Sequence, residues 1–152
     1  MDSDPTEPTT ASYHRALEQR VATWLKSDEA QEMECAGLYR HLPELYGFLL
    51  GLACDHRIPQ RARVGVVSAL KYIIQPYDLV PEGILGTAGF RDDLVLAALV
   101  IDHLFEVADE DVLSQHWHHS GKAREIARGI LDASGRLVEA DVYSRLHAWV
   151  PN

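Results

Sequence analysis

Cysteine, positive charge and long apolar runs are all scarce in this chain, and each scarcity closes a class of function. The two cysteines, Cys35 and Cys54, form no Cys-x-x-Cys pair, so zinc-finger and dithiol redox motifs are absent. Two reduced thiols in a cytosolic protein are expected, with one Cys35–Cys54 bridge as the alternative. The longest stretch free of Asp, Glu, Lys and Arg is ten residues, as in Leu45–Cys54. A membrane-spanning helix needs about 20 predominantly apolar residues, so only peripheral membrane contact stays open. Lys and Arg number 14 against 23 Asp and Glu, a net charge of −9 with His neutral. No Lys/Arg cluster offsets that charge, which opposes a nucleic-acid partner. The opening MDSDPTEPTT lacks the basic start and apolar stretch of a signal peptide. Residues 1–10 are expected to be a disordered tail and 11–150 one helical domain.

Apolar periodicity dominates what remains. Tyr13, Leu17, Val21, Trp24 and Leu25 share a helical face, which predicts an amphipathic helix over about 11–26. Asp28 is placed to cap a short acidic helix reaching Arg40. Pro43 suits a first helical turn, and Leu45, Phe48, Leu49 and Leu52 carry that helix to about Cys54. Pro59 can open a helix to about Ile74, with Val64, Val67, Leu70 and Ile74 as its buried stripe. Pro76 is expected to stop it, since the residue before a proline is pushed from helical geometry. Residues 77–90 read as an irregular corner.

A long helix over about 91–107 follows, and its uncharged middle, Leu94–Ile101, is apolar all round, as the central helix of a bundle must be. Beyond it, residues 109–117 suit a short helix. Ser120 can cap a helix over 121–133 that Gly135 ends in left-handed geometry. Val138, Val142, Leu146 and Trp149 mark a last amphipathic helix, the best candidate for an interaction surface. No run alternates with period two long enough for a strand. The pattern specifies an all-α fold, a compact bundle of about six helices with a Pro/Gly-rich corner between two central helices.

That corner holds the densest chemistry. Asp78, Asp92 and Asp93 flank it between segments that look buried, and a buried carboxylate is costly unless paired, hydrogen-bonded or bound to a cation. Asp92 lies on the face of Leu96, Leu99 and His103, and Asp93 beside Ala97, Val100 and Leu104. At least one of them must point inward. Two accounts compete. Asp92 and Asp93 can cap the helix start and pair with Arg61, Arg63 or Lys71. Alternatively Asp78, Asp92 and Asp93 form an oxygen-rich site for Mg²⁺, Mn²⁺ or Ca²⁺, with His103 or His56 in acid–base work. His116-Trp117-His118-His119 lacks the four-residue spacing of a metal-ligand helix and reads as a solvated junction. No nucleotide-binding glycine loop and no nucleophile elbow is present.

The ordered set Tyr72, Pro76, Asp78, Leu79, Val80, Pro81 and Glu82, followed by Gly89, Asp92 and Asp93, resembles the YkvA-like family of domains of unknown function. Ile58-Pro59 and Ala62-Arg63 resemble its lead-in, so the likeness covers about 45–104. The resemblance implies a compact helical module, often associated with membranes, without an established activity. Together the observations favour a cytoplasmic, non-enzymatic binding or scaffold protein that meets a protein partner or itself and needs no cofactor. A divalent-metal-binding protein or metal-dependent hydrolase is the alternative.

Overall fold

The computed structural model describes the backbone of residues 10–26, 28, 36–79 and 88–148, and the side chains of 14–23, 25–26, 28, 37–73 and 92–148. Its helices run as α1 (Thr10–Leu25), a 3₁₀ turn (Ala36–Arg40), α2 (His41–Ala53), α3 (Gln60–Leu79), α4 (Ala88–Val107), α5 (Glu110–Ser114), α6 (Ala123–Asp132), α7 (Ser134–Leu137) and α8 (Ala140–His147). No strand occurs among the described residues. The fold is all-α, and α1, α2, α3, α4, α6 and α8 are its helices of substantial length.

Helix α4 is the axis of the assembly. All eight residues of Leu94–Ile101 are buried, because α4 packs against α2, α3, α6, α7 and α8. That burial explains why the sequence carries no charge there: a helix covered on every side has no face to spare for water. Leu17 and Val21 of α1, and Leu42, Leu45, Leu49 and Leu52 of α2, complete the core on one side. Ala127 and Ile130 of α6, with Leu146 of α8, close the other.

Several local expectations change. Helix α3 passes Pro76 and continues to Leu79. Proline removes one N–H, but its fixed φ is helical and residues 77–79 keep their own donors, so one bond is lost rather than the helix. The buried stripe of α3 is Ala62, Val66, Ala69, Leu70 and Ile73, while Val64 and Val67 face outward. Ala62 and Ala69 let α3 approach its neighbours closely, and Val66, Leu70 and Ile73 are buried beside them. Helix α4 begins at Ala88, three residues before Arg91.

Residues 36–40 form a 3₁₀ turn rather than the end of an α-helix. Residues 29–35, which the Asp28 cap would precede, lie outside the described residues, as do Trp149 and most of the N-terminal tail. Ser120 does not cap α6. Gly121, at φ +78°, turns the chain first, and Lys122 takes the cap position without a side-chain bond. Gly135 lies inside α7 and is not left-handed. The N–H of Ala133 closes α6 on the carbonyls of Gly129 and Ile130, so no left-handed cap is required.

Candidate functional site

Tyr72 near the middle of α3 and Asp92 and Asp93 on α4 meet at the corner. The early start of α4 changes what the two aspartates do. They stand in its second turn, beyond the unpaired N–H groups of its first four residues, and its first turn holds no acid. The favourable field of a helix N-terminus fades within the first turn, so capping does not account for them. Asp93 is the inward carboxyl, 6% exposed, while Asp92 is half-buried.

Asp92 has a defined partner: the Tyr72 hydroxyl hydrogen-bonds its carboxylate. Burial, then the negative charges of Asp92 and Asp93, push the Tyr72 hydroxyl above its ordinary titration range. Asp93 is pushed well above the usual carboxylate range, first by burial and then by the charge of Asp92, with Arg20 of α1 opposing. Its Oδ1 is buried without a hydrogen-bond partner among the described residues. A carboxyl in that position is favoured as the neutral acid.

The cations acting at the corner differ from those the sequence offered. Arg20 reaches Asp93 electrostatically from α1, and Arg145 of α8 acts on Tyr72. Arg63 instead meets His56, with Nη1 to Nδ1 at 3.2 Å, and Arg61 and Lys71 are exposed. No local pattern signals Arg20 or Arg145, because long-range packing alone brings them near. The side chains of Pro76, Asp78 and Gly89, and the whole of Pro81 and Glu82, lie outside the described part. The proposed Asp78, Asp92 and Asp93 grouping therefore has two members in view. Among the described residues no three His, Cys, Asp or Glu side chains are placed to hold a metal ion.

A second polar concentration lies along α2. Asp55 Oδ2 accepts from Arg57 Nη2 and His116 Nε2, each at 2.7 Å. Its Oδ1 accepts from the Arg57 backbone N–H at 2.9 Å and from Nε at 3.0 Å. These bonds, those of Arg57 foremost, hold the Asp55 carboxyl far below the usual carboxylate range. His116 can come this close because Gly51 has no side chain: a Cβ there would stand 2.8 Å from the ring. Glu44 receives His41 at 3.0 Å and has His119 at 3.8 Å. The His116–His119 stretch is thus a junction between α5 and α6, but His116 is a specific partner within it. His103 is half-buried on α4.

A cleft of about 550 Å³ opens between the end of α4 and the start of α6, walled by Phe105, Trp117 and Arg124. It shares no residue with the corner. Arg124 lies over the Phe105 ring and pairs with Glu106 and Asp102, so its charge is already matched.

Residues 62–99 match the model of a family described as a protein of unknown function, DUF1232. Every motif residue from Tyr72 to Asp93 falls inside that range. The corner is thus similar to a DUF1232 segment. The resemblance to YkvA-like domains is consistent with that match, over a shorter span than 45–104. Nothing among curated proteins or solved structures matches the chain. Within the matched segment, Tyr72 and Asp92 are bonded, Asp93 is enclosed, and Val64, Val67 and Lys71 of α3 are exposed. No helix among the described residues is long and apolar enough to cross a membrane.

Proposed function

We propose that this chain is a non-enzymatic helical module that acts by binding a protein partner, with the Tyr72, Asp92 and Asp93 corner as an internal fixture. One observation carries this reading: the Asp93 carboxyl is 6% exposed, inside the core beside Ala97 and Val100. A group so enclosed has no open side for a substrate. Asp92 then works through its bond to Tyr72, tying α4 to α3. Replacing it with neutral Asn keeps the shape and weakens a charge-assisted hydrogen bond, at a cost of about 1 kcal/mol. Denaturant melts of Asp92→Asn check this. Full parental stability would remove the fixture.

A second reading has its own support in the unpartnered Asp93 Oδ1. A divalent cation shared with Asp92 and Asp78 would satisfy that oxygen, and a metal-assisted hydrolase could follow from it. Mg²⁺, Mn²⁺ or Ca²⁺ bound to the native state would raise the melting temperature with concentration. A rise abolished by Asp92→Asn favours the metal, whereas identical melts with and without the three ions leave the fixture.

A further inference from the structure

We propose that the outward face of α3, formed by Arg61, Val64, Val67 and Lys71, docks an acidic segment of a protein partner. The inference rests on the binding reading above and gives it a place and a chemistry.

Val64 is 59% exposed and Val67 37%; with Val107 they are the exposed large hydrophobic residues among the described part. At about 100° per residue, Arg61, Val64, Ser68 and Lys71 fall within an arc of about 80°, and Val67 widens it to about 120°. That arc is opposite the one burying Ala62, Val66, Ala69 and Ile73. The valines therefore occupy a face left uncovered among the described residues.

Charge indicates what covers it. Residues 56–77 contain no Asp or Glu, in a chain with 23 of them, yet hold Arg57, Arg61, Arg63 and Lys71. In sequence these cations are too spread to form a run. The helix sorts them. Arg57 pairs with Asp55, and Arg63, on a different face, hydrogen-bonds His56. Arg61 and Lys71 enter no ion pair among the described residues. They stand about 15 Å apart along the axis, at 1.5 Å per residue, and bracket the two valines. An apolar centre with a cation at each end complements a segment with small apolar side chains between acids.

The other occupants fit less well. A second copy related by a two-fold axis would set Arg61 and Lys71 against their own counterparts. An anionic bilayer is an extended negative plane that meets the whole molecule, and the net charge of −9 opposes it. A peptide meets only the local face, because charges beyond about 8–10 Å are screened at physiological salt. Valine is also a shallow anchor compared with the Trp, Phe and Leu of membrane-surface helices.

The test places a benzophenone side chain at position 64, at 67, or at exposed position 125 on α6, in the full chain within its native cells. Irradiation followed by mass spectrometry identifies the captured segment. Capture at 64 and 67 of a protein segment with net negative charge is expected. The double variant Arg61→Glu, Lys71→Glu should reduce it at least tenfold while the melting temperature stays within a degree or two. Capture of lipid, of a second copy, or of a neutral or basic segment overturns the proposal, as does indifference to the charge reversal. Capture at 125 alone overturns this surface but leaves the binding reading standing. Capture at none of the three sinks both.

Discussion

Asp93 is where the chemistry of a single residue decides most. Its titration is raised in the folded protein, so the native state holds a proton that the unfolded chain releases near its ordinary value of about 4. Stability then falls as pH climbs from about 4 through the folded titration, because the unfolded state binds fewer protons over that range. Asp93→Asn removes the titration and keeps the size. The variant should match the parent in acid and exceed its melting temperature increasingly toward pH 8, as thermal melts across pH 4–8 would show. A parent as stable as the variant at high pH would mean that the ionised form is well accommodated. The presence of an inward acid was legible from the helical face Asp93 shares with Ala97, Val100 and Leu104. The cations around it were not: Arg20, which acts on Asp93, and Arg145, which acts on Tyr72, come from distant segments that no local pattern links to the corner.

Among the elements, α4 and α3 show opposite degrees of legibility. Eight consecutive apolar residues leave a helix no polar face to turn to water, so Leu94–Ile101 announced its own burial. Leu96→Ala should cost about 2–5 kcal/mol, the range for a truncated core side chain, measured by urea denaturation. On α3 the apolar residues outnumber the positions of one stripe, and two stripes fit the helical period equally. Hydropathy favours Val64, Val67, Leu70 and Ile74; packing buries Ala62, Val66, Ala69, Leu70 and Ile73, so Val64 and Val67 are turned outward and Leu70 is kept. Sequence periodicity finds such a helix without fixing its rotation. The corner suffered similarly: the proline at 76 looked like a terminus, yet a proline that costs one bond near the end of a long helix need not end it.

Across the whole molecule, Asp55 joins segments far apart in sequence. It faces Arg57 beside it and His116, 61 residues along the chain. Its folded titration lies below the unfolded one, so its contribution is present above about pH 4 and fades as pH falls through that region. Asp55→Asn should be less stable than the parent at pH 7, and the difference should close as the medium is acidified below about 4. Melting curves of both proteins from pH 7 to 3 measure this; a gap independent of pH would mean that the carboxylate charge contributes nothing.

Because no side of Leu94–Ile101 meets water, solvent deuterium can reach its backbone amides only when the surrounding helices separate. Exchange at these positions should be the slowest in the chain and should proceed at one common free energy, that of global opening. The interior helix thus works as a built-in gauge: its deuteration rate reads out the cohesion of the whole protein.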